Sequence, residues 1–120
     1  MAEKLVIMVT HGPDQPVLAS IAFAMAGGAV AYDVEVVMIF QGDGCLLMKK
    51  GVAETVAAPE FTPLRELLPT LREMGAKFIA CSPGVKMYGL SQEDLIDGVE
   101  IATAGRFVAE VMSATNSLVY

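Results

Sequence analysis

The sequence predicts a single α/β domain over residues 1–120, built on a mostly parallel five-stranded sheet. Three observations carry that prediction. Leu5–Val9 (LVIMV), the apolar end of Tyr32–Phe40 (YDVEVVMIF) and Phe78-Ile79-Ala80 are continuous apolar runs, the pattern of strands buried on both faces. Segments with helical spacing of apolar residues separate these runs, and strand–helix alternation folds as parallel βαβ units. Glycine and proline punctuate the joins.

Taken in order, Leu5–Val9 is the first strand, broken by Thr10-His11-Gly12-Pro13. Asp14 is a candidate cap, and Pro16 suits the first turn of a helix from about Gln15 to Ala26, with Gly27-Gly28 as its stop. This segment is apolar nearly all round, as expected of a helix covered on more than one side. The second strand, Tyr32–Phe40, runs into the loop Gln41-Gly42-Asp43-Gly44. Leu46–Lys50 fits a helical turn or an extended segment equally, and Val52–Phe61 reads as a mobile connection. Thr62-Pro63 opens a helix with Leu64, Leu67, Leu68, Leu71 and Met74 on one face. Pro69 inside it predicts a kink or a late start, and Gly75 its end. The strand Phe78–Ala80 ends in Cys81, followed by a tight polar turn through Ser82, Pro83 and Gly84. Ser91-Gln92-Glu93-Asp94 has the capping-box pattern of a short helix. Val99-Glu100-Ile101 is a short fourth strand, Ala104–Met112 an amphipathic helix, and Leu118-Val119-Tyr120 a terminal strand.

Composition narrows the function. With 54% hydrophobic and 18% charged residues, the chain has more apolar surface than so small a domain can hide alone, which points to a homo-oligomer. A net charge of −6 argues against nucleic acid or an anionic membrane as a partner for the whole surface. The uncharged stretch Val17–Tyr32 is too short for a membrane span and is broken by Gly27-Gly28. No secretory signal is evident at the N-terminus, so a cytoplasmic protein is expected. Two cysteines are no disulfide scaffold.

Right-handed crossovers bring the strand ends to one rim of the sheet, where α/β folds gather ligands and chemistry. Cys81 lies there at the end of strand three, and Cys45 a few residues past strand two. A reactive Cys81 would draw on turn N–H groups near Ser82 and Gly84 and on Lys86; local sequence alone leans toward a buried structural thiol. Cys45 reads evenly as an accepting thiol or a packed one. His11, the only histidine, could be an acid or base on the same rim, though service to its own turn is the plainer reading. Lys49-Lys50 could hold an anionic sulfur species or simply be solvated. No ligand spacing suggests a metal, no glycine pattern a nucleotide, and Ser82 lacks a nucleophile elbow; no cofactor is expected.

The segment FIACSPGVKMYGLSQEDLIDGVEIATAGRFVAEVMSATNSLVY, together with LVIMVTHGPD and VEVVMIFQGDG, resembles the DsrE/DsrF-like proteins over nearly the whole chain. The resemblance implies a three-layer α/β/α domain that assembles as trimers or hexamers. It also implies a cytoplasmic sulfur relay in which Cys81 carries sulfur as a persulfide or thiosulfonate between a donor and an acceptor. Some relatives have a second cysteine three residues on; Gly84 stands there here, which excludes a local dithiol cycle. Two other readings stay open. One is a non-catalytic oligomeric module that binds a small ligand or protein, with Cys81 as packing. The other is a redox switch between Cys45 and Cys81.

Overall fold

The computed structural model describes residues 3–120. Five strands form one sheet: β1 (Lys4–Val9), β2 (Glu35–Phe40), β3 (Lys77–Cys81), β4 (Glu100–Ala102) and β5 (Asn116–Val119). Their order is β4-β3-β2-β1-β5, and every neighbouring pair is parallel. Four α-helices connect them: α1 (Pro16–Ala31), α2 (Leu64–Glu73), α3 (Ser82–Met87) and α4 (Ala104–Met112).

The order explains the layers. From β1 to β4 the chain steps toward one edge, and right-handed crossovers keep those connections on one face. Ile7, Val9, Met38, Phe40, Phe78 and Ala80 meet α1 and α2 there, with Phe40 between Phe23 and Phe78 at ring separations of 6.1 Å on each side. The chain then returns from β4 to β5 past the whole sheet, which places α4 on the other face. Phe107 and Val111 pack there against Val6, Val37, Ile39 and Ile79. Strands sandwiched in this way must be apolar at successive positions, which is why Val36–Phe40 are all buried.

Several expectations are corrected. The first helix does not stop at Gly27-Gly28 but runs to Ala31. Each glycine costs a helix only about 1 kcal/mol, and the backbone first turns left-handed at Asp33, with φ 62°. The second strand accordingly begins at Glu35, not Tyr32. Gln15 rather than Asp14 sits at the N-cap of α1, and Pro63 rather than Thr62 at that of α2, neither with a side-chain cap bond. Pro69 lies inside α2 without ending it.

Gly42–Met48 is a 3₁₀ helix, so neither reading of Leu46–Lys50 describes that segment in full. The connection after it holds a further 3₁₀ turn, Ala53–Thr55, and buries Ala53, Val56 and Ala58 against the body of the domain. The polar turn expected after Cys81 is the helix α3. Ser91–Asp94 does form a capping box, on a 3₁₀ turn rather than a longer helix: the Ser91 amide and hydroxyl both donate to Asp94 Oδ2, at 2.8 and 3.0 Å.

Candidate functional site

Three strand ends and the segments leaving them build the site. Cys81 is the last residue of β3 and the N-cap of α3. It is half-buried, and its side chain touches the apolar clusters on both faces of the sheet. As N-cap it stands before the first-turn amides of Ser82 and Gly84, which have no acceptor within the helix. Pro83 supplies no N–H.

Cys45 is different. It sits in the 3₁₀ segment after β2 and is fully buried. Its Sγ lies 3.2 Å from the Phe40 carbonyl oxygen and 3.6 Å from that of Cys81, so the S–H has two backbone acceptors. Burial pushes its pKa up to about 11, and the group is a neutral thiol at ordinary pH. It stands behind the Cys81 backbone as a buried support, with no opening to a sulfur species in solvent.

Glycines permit this stacking of segments. A Cβ on Gly44 would run into the Val9 carbonyl oxygen at the end of β1. A Cβ on Gly84 would lie 2.5 Å from Cys45 Sγ and 3.2 Å from the Gly42 nitrogen. A Cβ on Gly12 would lie 2.5 Å from the Asp43 carbonyl oxygen. The loop after β1, the 3₁₀ segment after β2 and helix α3 therefore press together at separations that only glycine allows. Tyr88, just past α3, closes the assembly by donating its hydroxyl to Asp43 Oδ1. That bond, to a carboxylate, holds the phenol proton on and raises the Tyr88 pKa.

This geometry, one half-open thiol where an interior parallel strand ends, coincides with a family match. The model of the DsrE/DsrF-like family covers residues 3–119. The chain belongs to that family. Among similar chains, the uncharacterized protein MK0008 of Methanopyrus kandleri is 33% identical, over 98% of this chain and 94% of that protein. The uncharacterized protein MJ0989 of Methanocaldococcus jannaschii is 29% identical over 98% and 99% of the two chains. MJ0760 of the same organism is 28% identical, and the match spans only 38% of its length. Two solved structures share the fold. The ychN protein from E. coli has a TM-score of 0.74 at 20% identity, over 98% of this chain and 99% of that one. The protein of unknown function MTH1491 from Methanobacterium thermoautotrophicum has 0.76 at 16%, with the same coverage.

The remaining candidates in this DsrE-like chain fall into place around Cys81 to different degrees. Ser82 and Gly84 are in the first turn of α3, directly beside it. Lys86 is exposed in the last turn of the same helix and forms no ion pair among the described residues. His11 is half-buried past β1, with Nδ1 3.3 Å from Thr10 Oγ1. Thr10 donates its hydroxyl to the Tyr120 carbonyl at 2.9 Å, and its contact with His11 keeps the imidazole beside its own turn. Lys49 and Lys50 are exposed, and their charges bear on Asp94, whose pKa is lowered mainly by the Ser91 bonds and further by these lysines. No group of three or more His, Cys, Asp or Glu among the described residues could hold a metal ion.

Sequence reasoning missed Tyr88 and Asp43, and missed that Gly12, Gly44 and Gly84 act together. Gly42-Asp43-Gly44 carried a signal, but a loop signal does not say what presses against the loop.

Proposed function

We propose that the chain is a sulfur carrier, with Cys81 as the residue that takes and gives up sulfur. The supporting observation is the contrast between its thiols: Cys81 is half-open at the C-terminal rim, and Cys45, the other cysteine, is sealed behind it. Membership of the DsrE/DsrF-like family supports the same reading. In the loading step the Cys81 thiolate attacks the sulfane sulfur of a persulfide donor. A Cys81 S–S bond forms, the donor S–S bond breaks, and its electron pair leaves on the donor thiolate, with no net oxidation. In unloading, an acceptor nucleophile attacks the outer sulfur and Cys81 leaves as thiolate. Amides of Ser82 and Gly84 lie at hand for the anionic persulfide, and Lys86 contributes positive charge from the same helix. The setting is a reducing cytoplasm, consistent with two free cysteines.

The carrier works as a homo-oligomer, a trimer or hexamer. The outer side of α1 has no charged residue yet leaves Val17 and Met25 exposed, and α4 exposes Val108 and Met112, the latter 79% open. Sedimentation of the chain at micromolar concentration checks this, and a monomer overturns it.

The decisive experiment treats the chain with a small-molecule persulfide, polysulfide or thiosulfate and maps the products by intact mass and peptide mass spectrometry. One added sulfur on Cys81 and none on Cys45 is expected, with no gain in Cys81→Ser. A Cys81 that alkylates freely yet takes sulfur from no donor sinks the carrier reading. It leaves a binding module in which Cys81, touching both apolar clusters, is packing.

A further inference from the structure

On the α1/α2 face a crevice of about 300 Å³, lined by neither cysteine, opens between α2 and the segments flanking it, Lys50–Glu54 and Ile96-Asp97. Its floor is apolar: Leu64 is fully buried, Leu68 nearly so, and Ile96 half-buried. Its rim is cationic. Lys50, Arg65 and Arg72 line it, three of the eight lysines and arginines in a chain of net charge −6. Two carboxylates, Glu54 and Asp97, also line it, so the local balance is three positive against two negative.

The positive groups here are only partly engaged internally, Lys50 through the charge of Asp94. Lys4 and Arg106 pair with Glu110 and Glu100, whereas Lys50, Arg65 and Arg72 enter no ion pair among the described residues. Arg72 is held in place by donating to the Asp97 carbonyl at 2.8 Å, which fixes the guanidinium and leaves its other N–H groups free. The walls are stitched by backbone bonds from Lys50 to Asp94 and from Ile96 to Met48, at 2.9 and 2.8 Å, so the crevice is preformed.

We infer that this crevice binds a small organic oxyanion, a carboxylate or phosphate ester on an apolar body. The body would lie on Leu64, Leu68 and Ile96, with the oxyanion between the guanidinium groups and Lys50. Buried apolar floor with convergent charged donors is the make-up of a ligand site, and its size suits a single aromatic ring or short chain. Guanidinium forks favour carboxylate and phosphate geometry. The site is separate from Cys81 and does not depend on the sulfur reading.

The test titrates the full chain with benzoate and with phenyl phosphate, read by amide chemical shifts in NMR. Inorganic phosphate, benzyl alcohol and benzylamine serve as controls. Saturable shifts confined to residues 50–54, 64–72 and 96–97 are expected with one or both oxyanions, and whichever binds tighter identifies the head group. Arg65→Ala, at an exposed position with no side-chain bond, should weaken binding about threefold to fivefold. Raised salt should weaken it further. Absence of saturable shifts overturns the proposal. So does equal binding of benzylamine or of inorganic phosphate, or an Arg65→Ala chain whose unchanged spectrum elsewhere shows it folded and whose affinity is undiminished.

Discussion

Cys81 ends β3, Cys45 lies just past the end of the neighbouring β2, and the Cys45 thiol reaches the Cys81 carbonyl, yet the two live in different chemistry. Cys45 is enclosed by a 3₁₀ segment that crosses behind α3, with its proton committed to the Phe40 and Cys81 carbonyls. Cys81 caps α3 and is half-open to solvent. The strand ends are alike; the segments leaving them separate the two thiols. A 3₁₀ helix folds back into the core, whereas an α-helix started by Ser82-Pro83 leads away and leaves its N-cap at the surface. A half-open thiol is thereby backed by a second thiol that solvent does not reach.

The largest effect should come from disturbing the place where the two segments meet. Gly84→Ala puts a methyl 2.5 Å from Cys45 Sγ and 3.2 Å from the Gly42 nitrogen. Forcing that space open should cost about 2 kcal/mol in urea denaturation. The clash with sulfur is removable: Gly84→Ala combined with Cys45→Ala should lose clearly less than the sum of the two single changes. The coupling should reach about 1 kcal/mol. Strict additivity would mean that Cys45 does not press on Gly84, and the contrast between a support thiol and a reactive one would lose its physical basis.

That contact marks the limit of what the sequence discloses. The strands were legible because burial on both faces leaves an unbroken apolar run, as in Leu5–Val9 and Val36–Phe40. Cys81 was legible as a strand-end residue for the same reason. The fate of Cys45 was not, because it depends on which backbone crosses Gly44 and Gly84, and a glycine needed for close approach looks like a glycine needed for a turn. Gly27-Gly28 misled in the opposite direction. The pair reads as a stop signal, but in a helix of sixteen residues with alanine-rich packing the cost is absorbed, and Asp33 makes the turn instead. The brief α3 escaped notice because six residues give no apolar period, although Pro83 at its start was a usable sign.

An effect that reaches a similar size, but only at the top of a high-pH window, concerns the Cys45 proton. The Cys45 pKa stands near 11 in the folded chain against an ordinary value of 9.0, because burial disfavours the thiolate. Below pH 9 the thiol is protonated in both states and adds no pH dependence. Between pH 9 and 11 the unfolded chain gives up this proton while the folded chain keeps it. The unfolded state then binds fewer protons, and stability falls as pH rises. The loss should be about 2 kcal/mol at the top of that window. Comparison with Cys45→Ser isolates it, since the other groups titrating there are common to both chains. Parallel stability curves from pH 8 to 11 would show that Cys45 reaches solvent more freely than its surroundings imply.

The smallest effect tests how the enclosure of Cys45 is kept shut. Tyr88 bonds Asp43 from just beyond α3, linking that helix to the 3₁₀ segment on the solvent side. The bond is exposed, so Tyr88→Phe should leave the denaturation midpoint nearly unchanged. Local opening is governed by fewer interactions than global unfolding. Removing one link between the two segments should therefore appear where the midpoint is blind, in the slow alkylation of Cys45 in the native chain. That rate should rise about twofold to fivefold in Tyr88→Phe, while the faster reaction of Cys81 stays the same. Acceleration of Cys81 alone would place Tyr88 over the reactive thiol instead, and would transfer its role from the support to the site.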